Sequence, residues 1–132
     1  MKILLIEDDK DDVELLQEAL DSSKVAYEMK VLTNGYSALE YIGTCTDSPH
    51  IIVLDYNLPK VHGRELLKEI KNGSILKDTP LVVLTTSSST ADLNFAYDHG
   101  ADKYLIKPST TQEIKTTVQT ILSLARDKKP LN

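Results

Sequence analysis

The chain has 132 residues, 41% apolar and 27% charged, enough for one hydrophobic core and too few for two ordinary domains. Its 15 basic and 20 acidic side chains leave a net charge of −5, which argues against generic binding to nucleic-acid phosphates. The single cysteine, Cys45, excludes an internal disulfide or a cysteine-based zinc site; no run resembles a membrane span of about 20 apolar residues or a secretory signal, so a cytoplasmic location is expected.

In chain order, an apolar run at 3–6 predicts a first strand. Val13, Leu16 and Leu20 then fall on one stripe of a helix over 11–20. Residues 27–31 alternate apolar and polar, the mark of a half-exposed edge strand. Leu39 and Ile42 mark a helix over 36–42, and the run 51–54 a third strand. Leu66, Leu67 and Ile70 predict a helix over 64–71, and 81–84 a fourth strand. A helix over 90–99 is stopped by Gly100, which tolerates positive φ. After a fifth strand at 104–106, Ile114, Val118, Ile121, Leu122 and Ala125 predict a helix over 111–125.

The apolar runs at 3–6, 51–54, 81–84 and 104–106 do not alternate, which reads as strands covered on both faces. Strand and helix alternating five times implies right-handed crossovers and a doubly wound α/β domain over residues 1–124, with 125–132 as helix end and tail. In such sheets the ligand crevice lies at the carboxyl ends of the strands. There the sequence sets Glu7 and Asp8, Asp55, Thr85, and Lys107 with Pro108.

One acid after a strand is usually a helix cap. Three acids converging on one rim repel each other unless a cation joins them. An all-oxygen donor set favours Mg²⁺ or Ca²⁺, and Mg²⁺ keeps ligand positions open for a phosphoryl group. Asp55 is then a candidate nucleophile of the aspartyl-phosphate kind, with Thr85 a hydrogen-bond donor and Lys107 a point charge toward phosphoryl oxygens.

With those residues in place, the chain resembles the receiver domains of two-component response regulators, such as the chemotaxis receiver with strand order 2-1-3-4-5. The resemblance rests on residues 6–8, 53–59, Gly63, 84–86 and 104–108, and covers residues 2 to about 124. It implies a flavodoxin-like sheet of that order with five helices. Asp55 would be the phosphoacceptor, and Glu7, Asp8, Asp55 and the backbone carbonyl of Asn57 the Mg²⁺ ligands. Thr85 would be the switch hydroxyl, Lys107 the phosphate-pairing lysine and Tyr104 the switch aromatic. The Lys107–Pro108 bond is expected to be cis, and Asn57 and Ser87 to tune the phosphoryl lifetime. Leu93, Phe95, Tyr97 and Tyr104 would lie on a partner or homodimer face of the fourth helix, fifth strand and fifth helix.

Residues 72–79, 80–87 and 96–102 resemble the small stand-alone receivers that partner phytochrome-type histidine kinases. The expected activity is self-phosphorylation and autodephosphorylation, with no metabolite turned over. Asp9, Asp11 and Asp12 are expected to start the first helix, where the dipole favours negative charge, and Thr90 to cap the fourth. His50, His62 and His99 lack metal-pair spacing. An aspartate-nucleophile phosphatase is the enzymatic alternative, but such enzymes need an acid two residues after the nucleophile, where this chain has Asn57. An inert scaffold is disfavoured because every phosphorylation residue is present, and a flavin role because acids follow the first strand.

Overall fold

The computed structural model describes residues 1–127, so the end of the expected tail lies outside the described residues. Five strands, β1 (Lys2–Ile6), β2 (Glu28–Leu32), β3 (Ile51–Leu54), β4 (Leu81–Thr85) and β5 (Lys103–Ile106), alternate with five helices. These are α1 (Lys10–Ser22), α2 (Gly35–Thr44), α3 (Gly63–Lys71), α4 (Thr90–Asp98) and α5 (Thr111–Asp127). All strand pairs are parallel, in the order β2-β1-β3-β4-β5. The fold expected from the sequence is therefore the fold observed.

The pleat divides the core. Leu4, Ile6, Ile52, Leu54 and Val83 face α2, α3 and α4, where they meet Ala38, Ile42, Leu66, Leu67, Ile70 and Ala96. Ile3, Leu5, Ile51, Val53 and Val82 face α1 and α5, against Leu16, Leu20, Val118, Ile121 and Leu122. Burial on both faces explains why β1, β3 and β4 read as unbroken apolar runs. The fifth run departs from that expectation: β5 pairs only with β4, and Lys103 and Ile106 are exposed. A sheet edge leaves one side of the strand open.

Caps fix the helix starts. Asp9 caps α1, its side chain accepting from the Asp11 and Asp12 N–H groups. The cap of α4 is Ser89 rather than Thr90, with the Ser89 side chain accepting from the Asp92 N–H. His62 caps α3 through an imidazole nitrogen that accepts from the Arg64 N–H at 3.0 Å. Gly100, at φ +97°, ends the α4 region in the left-handed conformation.

Gly63 seats α3 against the end of β3. Its N–H donates to the Tyr56 carbonyl at 3.0 Å. A Cβ there would overlap the Tyr56 Cα and stand 2.7 Å from the Asp55 carbonyl oxygen. Among the described residues, no helix is long and apolar enough to cross a membrane.

Candidate phosphoryl-transfer site

β1, β3, β4 and β5 end on the same rim, so their terminal residues converge. Glu7 and Asp55 are buried, while Asp8 is exposed at the mouth. Ligand oxygens of these three acids lie within 4.8 Å of one another. Lys107 reaches in from the end of β5. Its Nζ lies 2.8 Å from Glu7 Oε1, 2.7 Å from Asp12 Oδ2 and 3.3 Å from Asp55 Oδ2. Asp55 Oδ1 accepts from the Asn57 N–H at 3.1 Å, and the Asp55 side chain keeps 4% exposure.

The electrostatics favour an added cation. Burial pushes the Glu7 carboxyl up to about 7; hydrogen bonds from Lys107 and the Asp9 N–H oppose the rise, and the Asp55 charge adds to it. Burial alone would lower the Lys107 pKa, but hydrogen bonds to Asp12 and Glu7 and the nearby Asp55 and Glu7 charges outweigh it and raise the pKa. One ammonium is thus shared among several carboxylates. The all-oxygen donors Glu7, Asp8 and Asp55 suit a hard divalent ion.

Thr85 is fully buried at the end of β4. Its Oγ1 accepts from Asn57 Nδ2 at 3.4 Å and from the Ser87 N–H at 3.3 Å. Both bonds use its lone pairs, so the hydroxyl hydrogen is left to donate. The Asn57 amide also donates to Thr86 Oγ1 at 3.3 Å. Tyr104 packs inward, edge-on to Tyr56, and its hydroxyl donates to the Ser87 carbonyl at 2.7 Å.

Several expectations change. The Lys107–Pro108 bond is not cis, since none of the described peptide bonds is. Trans is the lower-energy X-Pro isomer by about 0.5–1 kcal/mol, and Lys107 meets its acids from the trans chain. Asp12 does more than start α1: it holds Lys107. The signal was legible, because Asp12 sits four and eight residues before Leu16 and Leu20, on the inward stripe of α1.

The expected interaction face is only partly a surface. Leu93 and Tyr97 are exposed, whereas Phe95 is half-buried, stacked on His99 and covered by the Arg64 guanidinium. Tyr104 is buried, because its hydroxyl finds an acceptor inside. Ile106 at the open edge of β5 is exposed instead.

The fold and this rim define a phosphoryl-handling α/β domain. The description "Response regulator receiver domain" matches residues 3–119, and the chain belongs to that family. Response regulator Rcp1 of Synechocystis sp. is 40% identical over 126 residues, spanning 92% of this chain and 86% of the relative. The crystal structure of Mn²⁺-bound Rcp1 superposes with a TM-score of 0.85 at 37% identity, covering 99% of this chain and 98% of the other. The phosphorylated cyanobacterial phytochrome response regulator RcpA gives a TM-score of 0.85 at 36% identity, covering 98% and 96%.

Proposed function

We propose that Asp55 accepts a phosphoryl group from the phosphohistidine of a sensor histidine kinase, and that the added charge changes the chain's binding surface. The observation that carries this reading is the convergence of Glu7, Asp8 and Asp55 around Lys107, with Thr85 alongside. In the transfer, the donor P–N bond breaks as a P–O bond forms to Asp55, and the leaving imidazole keeps the electron pair and takes a proton. Mg²⁺, held by Glu7, Asp8, Asp55 and the Asn57 backbone carbonyl, supplies neutralising charge when bound.

The chain's own groups do the rest. Lys107 pairs with one phosphoryl oxygen, drawn from the acids it now bridges. The Thr85 hydroxyl hydrogen, uncommitted at rest, donates to another. Asn57 and Ser87 flank the acyl phosphate and set how fast water removes it, so the chain turns over on itself and consumes no metabolite. Exposed Leu93, Tyr97 and Ile106 form the output face, for a partner or a second copy. A phytochrome-class kinase is the proposed donor, because RcpA, 36% identical, is a phytochrome response regulator.

Incubation with Mg²⁺ and a small phosphoramidate, followed by intact mass measurement, tests the reading. One phosphoryl adduct is expected, absent in Asp55→Asn and after chelation. An adduct that persists in Asp55→Asn refutes the nucleophile.

A further inference from the structure

Four hydrogen bonds meet at Ser87, two residues beyond Thr85, one of them donated by the Ser89 N–H to the Ser87 Oγ at 3.3 Å. The Ser87 N–H donates to Thr85 Oγ1 at 3.3 Å, and its carbonyl accepts from the Tyr104 hydroxyl at 2.7 Å. Its own hydroxyl donates to Asp92 Oδ2 at 2.6 Å. One residue therefore touches the switch hydroxyl, the switch aromatic and the first turn of α4.

Asp92 is itself tied down. Its Oδ1 accepts from Arg64 Nε at 2.8 Å, and Arg64 Nη2 pairs with the same oxygen. Arg64 follows Gly63 at the start of α3, the helix seated on the Asp55–Tyr56 backbone. The guanidinium also lies over the Phe95 ring, 5.0 Å from its centroid. The Ser87 hydrogen bond, and after it the Arg64 contacts, hold the Asp92 carboxyl below its ordinary pKa despite some burial, so it stays an ionised acceptor at neutral pH.

Residues 87–89 lie between β4 and α4 with no sheet ladder or helix to hold them. Their position depends on side-chain bonds such as these. A hydrogen bond to a charged acceptor shifts a two-state equilibrium by roughly tenfold or more.

We propose that Asp92 is a positioning residue for phosphoryl acceptance: acting through Ser87, and anchored by Arg64, it fixes the carbonyl that keeps Tyr104 inward and the N–H that orients the Thr85 hydroxyl. The inference rests on the phosphoacceptor reading of Asp55 and adds a linkage from α3 to the loop before α4. The Tyr104-inward arrangement is thereby favoured before any phosphoryl group arrives. Loss of the Asp92 acceptor frees the Ser87 segment, lets the Tyr104 ring leave its site, and leaves Thr85 poorly aimed.

The test uses the full chain with Mg²⁺ and phosphoramidate, comparing Asp92→Ala, Asp92→Asn, Ser87→Ala and the double variant Ser87→Ala/Asp92→Ala. Adduct formation is followed by intact mass. The Tyr104 ring is followed without donor by NMR of ¹³C-tyrosine-labelled protein, its signal assigned through Tyr104→Phe. Asp92→Ala should slow adduct formation about tenfold and move the Tyr104 signal toward that of an exposed ring. Asp92→Asn retains a neutral acceptor for Ser87 but loses the ion pair with Arg64, so it should fall between wild type and Asp92→Ala in both the rate and the Tyr104 signal. The double variant should be no slower than the slower single one, since both single changes cut the same connection.

An unchanged Tyr104 signal in Asp92→Ala, or effects of Ser87→Ala and Asp92→Ala that multiply, would overturn the proposal. If the wild-type chain takes no phosphoryl group on Asp55, the phosphoacceptor reading fails, while the Tyr104 signal still reports whether Asp92 acts through Ser87.

Discussion

Gly63→Ala sets two opposing effects against each other at the edge of the site. Gly63 is the first residue of α3, where alanine's intrinsic helix preference would add up to about 1 kcal/mol. The new Cβ, however, would lie 2.7 Å from the Asp55 carbonyl oxygen and 2.8 Å from Tyr56 Cδ1. Comfortable contact needs about 3.5–4.0 Å, so α3 must retreat by roughly 1 Å. The nearest atoms include backbone at the end of β3, which cannot swing aside as a flexible side chain can. Retreat also loosens Leu66, Leu67 and Ile70, all fully buried against the sheet. Overpacking costs about 1–3 kcal/mol in general. Here the Cβ would overlap the nearest backbone atom, Tyr56 Cα, so the upper part of that range, about 2–3 kcal/mol, applies; subtracting the propensity gain leaves a net loss of about 1–2 kcal/mol. In urea unfolding this appears as a midpoint lowered by about 0.5–1 M with little change in slope. Because the strain falls on the Asp55 carbonyl, phosphoryl uptake should drop as well. An unchanged or raised midpoint would refute the close-approach explanation for this glycine.

Lys107→Met removes the ammonium shared by Glu7, Asp12 and Asp55; unfolding at pH 8 should show a loss of about 3 kcal/mol, with phosphoryl uptake nearly abolished. Glu7 gives a pH signature in chelated protein. With its folded pKa raised from 4.5 to about 7, the native state holds a proton that the unfolded chain has released, so Glu7's contribution to stability falls as pH rises from 4.5 to 7. Glu7→Gln should flatten that decline in a urea series, and Mg²⁺ added to wild type at pH 7 should release protons, read by calorimetry in two buffers. Tyr56→Phe should be neutral or stabilising by about 1 kcal/mol, because the buried Tyr56 hydroxyl has no hydrogen-bond partner among the described residues; a destabilisation would show the hydroxyl to be engaged.

The parts of the fold that could be read from the sequence were those governed by burial. Residues 51–54 are apolar throughout because β3 has a strand on each side and helices on both faces, and the strand falls where expected. β2 begins one residue later than its alternating pattern implied. Tyr27 turns its hydroxyl to the Gln17 carbonyl and Asp21, while buried Leu32 joins the ladder opposite Ile6. β5 misled because an apolar run cannot distinguish an inner strand from an edge strand.

The acids, hydroxyl and lysine of the site were legible because topology alone carries strand ends to one rim. Bonds between side chains far apart in sequence were not. Arg64 and Asp92, 28 residues apart, each look like an ordinary charge on a helix, and only the packing of α3 beside α4 joins them. The same holds for Tyr104. The family resemblance implied a switch aromatic there, but the Ser87 carbonyl that draws it inward is a backbone group that no side-chain pattern announces.

Borohydride trapping tests the phosphoacceptor assignment most directly. After phosphoramidate treatment with Mg²⁺, reduction converts an aspartyl phosphate to homoserine, which tandem mass spectrometry locates residue by residue. Homoserine at position 55 alone, lost on chelation, is the expected result. Homoserine at position 8 or 12 instead, or at no aspartate in folded protein, would contradict the claim that this rim is built to deliver a phosphoryl group to Asp55.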